Sequence, residues 1–225
     1  MSPRDKAPPP STTITILGLG SLLSERSART TFPELNGFRL ARVTGYRRVF
    51  AHSPALFVDR GIADFESGER ASLSAEPSDG GGFVCSAFEV ADVGIDAFRE
   101  REEEFELRVV DFYEEDGTGG RGLLCVRSTD EAYVAAWGRE RYDRLYTSRG
   151  HTIWSYAHDS QLLPCAAYLR HCALAAEKLG PRCHDSFLDE TFLVDRATTI
   201  RKYLQAHPEV LTTLPPPSLQ ERYSG

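Results

Sequence analysis

Apolar positions along the chain fall into short runs rich in β-branched and aromatic residues, separated by glycine, proline and small polar residues. Runs at 13–17, 40–51, 69–75, 83–90, 105–113 and 122–126 predict strands. The segment PSDGGG at 77–82 predicts a hairpin loop between two of them, with antiparallel neighbours on either side.

The last third changes period. Pro164 suits the first turn of a helix whose apolar stripe runs through Ala167, Leu174 and Leu179, with Gly180 as its stop. A second helix is predicted from an Asp185-Ser186 cap through Phe187, Leu193, Ala197, Ile200 and Leu204, closed by Pro208. Residues 1–12 are proline-rich and predict a flexible lead, and 207–225, with Pro215 to Pro217, predict an extended tail. Between them, 13–206 reads as one α+β body.

Length and charge narrow the partners. A chain of 225 residues can bury one substantial core. A formal net charge of −7 argues against nucleic acid or an anionic membrane as the main partner. No apolar run reaches the roughly 18 to 20 residues of a membrane span, and nothing at the start resembles a signal peptide. The five cysteines are odd in number and lack a C-x-x-C pair, so they predict reduced thiols and a cytoplasmic protein. A small soluble ligand is the expected partner.

Chemistry concentrates in two places. At 14–26 an apolar strand runs into a turn at Gly18 and Gly20, where glycine allows positive φ and the N–H groups of Gly20, Ser21 and Leu22 can converge on an anionic group. The residue three past Gly20 is Leu23, so a dinucleotide fingerprint is not completed, and no phosphate-loop motif is present. At 94–105, Ile95, Phe98, Glu102 and Phe105 share one helical stripe, whereas Glu100, Glu103 and Glu104 point away from it. A carboxylate on an apolar stripe must shift its pKa, find a partner such as Arg99 or Arg101, or line a cavity.

Other groupings carry less. Cys165, His171, Cys172, Cys183 and His184 lack the spacing of a zinc site, so no metal is expected. No cysteine has the context of a nucleophile. The aromatic stretch 137–156, with Tyr142, Tyr146, Trp154 and Tyr156, reads as packing, a substrate-selecting lid or a partner surface.

Several of these residues carry a family resemblance. Gly20-Ser-Leu-Leu-Ser-Glu-Arg26 resembles the glycine-serine loop of the γ-glutamylcyclotransferase-like superfamily, which includes the AIG2-like and ChaC-related proteins, and Val43-Thr-Gly-Tyr-Arg-Arg-Val-Phe50 resembles its following strand. Arg60-Gly61, Gly68-Glu-Arg70, Gly82 to Glu89, Arg101-Glu102 with Phe105, Val109 to Tyr113, and Phe187 to Tyr203 are similar, in order, to elements of the ChaC branch. There are three departures. Leu19 replaces the family's aromatic, the spacing from Glu102 to Phe105 is one residue shorter, and 129–163 has no counterpart and reads as an insertion.

The resemblance implies a small mixed or antiparallel β-barrel-like sheet with flanking helices. It implies an enzyme that cyclises a γ-glutamyl group to 5-oxoproline and releases an amine, amino acid or peptide, as in glutathione metabolism. It further implies Glu102 as the proton-transfer group, Leu19, Gly20, Ser21 and Leu22 as the substrate-binding loop, and no metal or organic cofactor. The alternative is a non-catalytic ligand- or protein-binding module on the same fold.

Overall fold

A computed structural model describes residues 13–91 and 95–225. The proline-rich lead at 1–12 and Gly94 lie outside the described residues. The strands are β1 (Thr13–Gly18), β2 (Asn36–His52), β3 (Glu69–Ala91), β4 (Glu106–Tyr113), β5 (Gly119–Val126) and two short edge pieces, β6 (Leu163–Pro164) and β7 (Thr191–Phe192). The helices are α1 (Glu25–Thr31), α2 (Ala55–Asp59), α3 (Ile95–Arg101), α4 (Asp130–Trp137), α5 (Arg139–Leu145), α6 (Ala166–Lys178), α7 (Pro181–Asp189) and α8 (Ile200–Ala206).

The strand order is β6-β3-β1-β5-β4-β2-β7, and the added β2–β3 pairing joins the two sides into a five-stranded ring. The class is α+β, a mixed barrel-like sheet with flanking helices. β1 runs parallel to β5, and the other neighbours around the ring are antiparallel.

β3 overturns the expected hairpin at 77–82. Both flanking runs pair antiparallel with β2, Val43↔Phe83 on one side of a register shift and Tyr46↔Pro77 on the other, so they cannot fold back on each other. Ser78 to Gly81 stand opposite the single Gly45 and form a large bulge. Gly80 and Gly45 supply the positive φ, +70° and +77°, that it requires.

Alternation sorts the apolar side chains onto two faces of the ring. Leu17, Ala87 and Leu124 join a core with α6 and α7, whereas their chain neighbours Ile16, Phe88 and Leu123 join Ala28, Phe32, Ile95 and Phe98 from α1 and α3. In the first core lies Arg48, fully buried, with its guanidinium 4.9 Å from the Phe83 ring centre and 5.1 Å from that of Phe187. It donates to the Val84 carbonyl at 3.1 Å and to Ser186 Oγ at 3.2 Å, and burial lowers its pKa to about 10.

The predicted second C-terminal helix is two. Asp185 and Ser186 lie inside α7, the chain then passes through β7, and Thr199 caps α8 by accepting from Lys202 N–H at 3.3 Å. Nor is the tail free of the body. It winds through 3-10 turns at Pro208–Thr212 and Pro217–Leu219, and Tyr223 is only 3 % exposed.

The segment at 129–163 forms α4, α5 and a following loop around a third apolar cluster of Tyr133, Tyr142, Tyr146, Ile153 and Trp154. Buried Asp130 ties it together. Its carboxylate accepts from Ile153 N–H at 2.8 Å, Trp154 N–H at 3.3 Å, the Tyr142 hydroxyl at 3.0 Å and the Ser155 hydroxyl at 2.5 Å. Asp130→Ala strands three buried donors, on Tyr142, Ile153 and Trp154, so a loss of about 2 to 4 kcal/mol is expected in urea denaturation.

Candidate functional site

A cavity of about 390 Å³ opens where the ring meets α3, α6 and the 129–163 segment. Leu19, Gly20, Ser21 and Leu22 from the β1 turn line it, as do Glu102, His52 and Tyr168. The structure thus brings the two chemically marked stretches, 80 residues apart, to one place.

The turn is shaped by close approach rather than by backbone handedness. Neither Gly18 nor Gly20 has positive φ, against expectation. A Cβ at 18 would strike Ser86 Oγ and come within 2.7 Å of Leu22 Cβ, and a Cβ at 20 would strike the Tyr168 hydroxyl. Ser21 to Leu23 form a single 3-10 turn, with Ser24 then capping α1. Ser21 N–H donates to the Tyr168 hydroxyl at 3.3 Å, a long bond that leaves one N–H of the expected anion-binding set already engaged. Burial pushes the Tyr168 phenol well up, so it is neutral and can donate in turn.

Glu102 lines the cavity, with 17 % of its side chain exposed, and Arg101 Nε lies 3.1 Å from its Oε1. Burial raises its pKa, while the Arg101 guanidinium and the His52 ring oppose the shift and Glu104 adds to it. All three sequence alternatives therefore hold at once: the carboxylate faces the cavity, touches Arg101 and has a raised pKa.

The helical stripe holds only as far as the helix. Ile95 and Phe98 are buried together, but α3 ends at Arg101 and the chain turns over 102–104, with Phe105 N–H bonded to the Glu102 carbonyl at 2.9 Å. Phe105 consequently leaves that stripe and packs 4.4 Å from the His52 ring and 5.4 Å from Trp154, measured between ring centres. Glu100, Glu103 and Glu104, all expected to point away, also border the cavity. Arg141 holds Glu103 at 2.7 Å, and His52 Nε2 lies 2.7 Å from Glu104 Oε2.

His52 is a site residue that sequence reasoning missed. It is 2 % exposed, sits at the end of β2, and stacks on Trp154 at 4.5 Å. Glu104 also accepts from the Tyr146 hydroxyl, and its backbone carbonyl accepts from Trp154 Nε1 at 3.0 Å. The aromatic stretch at 137–156 is thereby both packing and a cavity wall, with Leu145 and Tyr146 among the lining residues.

The cysteine and histidine group is spread through the C-terminal helices. Cys165, Cys172 and Cys183 are free and buried, and burial raises each thiol, Cys165 to about 12 and Cys183 to about 11. His171 borders the cavity, accepts from Gly225 N–H at 3.0 Å, and has its pKa lowered to about 4 by burial. Among the described residues no helix is long and apolar enough to cross a membrane.

No protein-family model and no curated protein matches the chain. Solved structures to which it is similar include a γ-glutamyl cyclotransferase, at 10% identity over 68% of this chain and 94% of that one with a TM-score of 0.43. An uncharacterized protein from Homo sapiens is 12% identical over 64% of this chain and 91% of its own, with a TM-score of 0.43. A protein from Arabidopsis thaliana is 12% identical over 62% and 83%, with a TM-score of 0.40.

The lowered His171 value has a thermodynamic consequence. Between the ordinary histidine pKa near 6.5 and about 4, the unfolded chain binds a proton that the folded one does not, so this group subtracts stability as pH falls through that window. His171→Asn keeps an acceptor for Gly225 and does not titrate. Its unfolding free energy is expected to fall less steeply than wild type between pH 6.5 and 4, by up to about 1.4 kcal/mol per pH unit, in urea titrations at stepped pH.

Proposed function

We propose that this protein is a cofactor-independent γ-glutamyl cyclotransferase acting on a small γ-glutamyl donor. The observation that carries the reading is the meeting of Glu102, with its raised pKa, and the Gly20–Leu22 turn in one cavity. The family resemblance of these same residues points the same way.

The reaction needs few parts. The α-amine of the γ-glutamyl group attacks its own γ-carbonyl carbon, the new C–N bond closes the five-membered ring, and the old amide C–N bond breaks. Glu102 takes the proton from the attacking ammonium and returns one to the departing nitrogen, so protons balance without an outside donor. A group with a raised pKa suits both halves of that exchange. The α-carboxylate rests on the Gly20 to Leu22 turn beside the Tyr168 hydroxyl, which can take the place of the long Ser21 bond. Because nucleophile and electrophile belong to one molecule, holding the cyclising conformer supplies much of the rate, on the order of 7 to 11 kcal/mol in favourable intramolecular cases.

Five free cysteines fit a reducing compartment such as the cytosol. One observation favours the non-catalytic alternative: the Arg101 contact would hold Glu102 ionised and occupied.

The test is 5-oxoproline release by purified protein from glutathione, γ-glutamyl dipeptides and γ-glutamylamines. Release from at least one donor is expected, reduced about 10²- to 10⁴-fold in Glu102→Gln with the fold retained by circular dichroism. No release from any donor by folded wild-type protein would overturn the reading in favour of the binding module. Ser21→Ala is expected to cost less than tenfold, since the turn acts through its backbone.

A further inference from the structure

Two arginines of the cavity wall stand outside its ion pairs. Arg101 pairs with Glu102 at 3.1 Å, Arg141 with Glu103 at 2.7 Å, His52 with Glu104 at 2.7 Å, and Arg149 with Asp59 at 2.7 Å. Arg60, at the end of α2, and Arg222, in the C-terminal segment, line the same cavity, and among the described residues neither forms an ion pair. Arg60 Nη1 donates to the Tyr223 hydroxyl at 2.6 Å, which fixes the guanidinium without neutralising it.

Arg222 is half-buried, and burial together with the neighbouring charges of Arg60 and Arg101 lowers its pKa. Arg222 acts on Glu102 across the cavity without contact, and with no carboxylate ion-paired to either arginine among the described residues, gathering cations in a partly dry wall costs stability that is recovered when an anion arrives. Buried Tyr223 holds the arrangement by bonding Arg60 from the adjoining position in the chain, so the C-terminal segment is built into the cavity wall.

We propose that Arg60 and Arg222 form an anion subsite that receives a carboxylate on the leaving part of the ligand. This rests on the cyclotransferase reading, under which the turn takes the α-carboxylate and Glu102 faces the α-ammonium. Two guanidiniums exceed what the glutamyl group alone requires. A γ-glutamyl amino acid or peptide, with its second carboxylate, then meets a complementary charge at each of its three ionised groups, whereas a γ-glutamylamine leaves the arginines unmatched.

The test compares γ-glutamylglycine with γ-glutamylethylamide, which differ by that carboxylate, in calorimetric titrations of the full chain carrying Glu102→Gln to prevent turnover. The glycine compound is expected to bind on the order of tenfold tighter, as for a charge-assisted pair. Adding Arg60→Gln and Arg222→Gln should bring the ratio to about one, and Arg222→Lys, which keeps the charge, should preserve most of it. Should Glu102→Gln fail to fold, the ratio of KM values for the two donors in wild type reads the same quantity.

Equal affinities, a preference that survives loss of both arginines, a loss shared equally by both ligands, or binding of neither would overturn the subsite. The shared loss would place the arginines on the α-carboxylate instead. Absence of 5-oxoproline release from wild type, with the binding ratio intact, would defeat the cyclotransferase reading and leave the subsite standing.

Discussion

The ladder between β2 and β3 runs from Asn36↔Glu89 to His52↔Ser72, and it turns an open sheet into a ring. Long antiparallel strands can close a barrel only if they bend, and the bulge at Gly45 and the shift at Phe50/His52 provide the bend. The last pair of that ladder, His52 and Ser72, lines the cavity. His52 then holds Glu104, and Glu104 holds the 129–163 segment through Tyr146 and Trp154. Strand pairing, cavity and aromatic segment are thus one connected structure.

Within that structure three consecutive glutamates have three different environments. Glu103 is spent on Arg141 and Tyr133, and Glu104 on His52 and Tyr146, so both serve to anchor the 129–163 segment. Glu102 touches its neighbour Arg101 and has a desolvated setting that raises its pKa. A short turn after α3 leaves one carboxylate facing the cavity with a raised pKa and ties the other two into the architecture.

Much of this was legible in the sequence, for identifiable reasons. Residues with strong local signals appeared where expected: the β-branched runs as strands, Gly180 just past α6, and Ile95 and Phe98 buried on one face of α3, although Pro164, expected in the first turn of α6, ends β6 instead. The failures share a cause in tertiary contacts. PSDGGG has the composition of a hairpin, but β2 offers both flanking runs a better partner along its full length. The 100° rule misplaced Glu103, Glu104 and Phe105 because it extends a helix that stops at Arg101. His52 carried no motif, since its role comes from a carboxylate 52 residues away. The tail looked unstructured from its prolines, yet Tyr223 and Gly225 find Arg60 and His171 on the body.

The cavity draws its wall from stretches near residues 20, 52, 60, 102, 145, 168 and 222, none of which can form it alone. Such a site has no existence in a partly folded chain, and assembling it requires distant contacts that slow the search for the native state. Occupancy and global stability are therefore the same equilibrium seen from two sides. A ligand at a hundred times its dissociation constant would add about 2.7 kcal/mol to the whole fold, so the melting temperature of this protein doubles as a detector of whatever its cavity accepts.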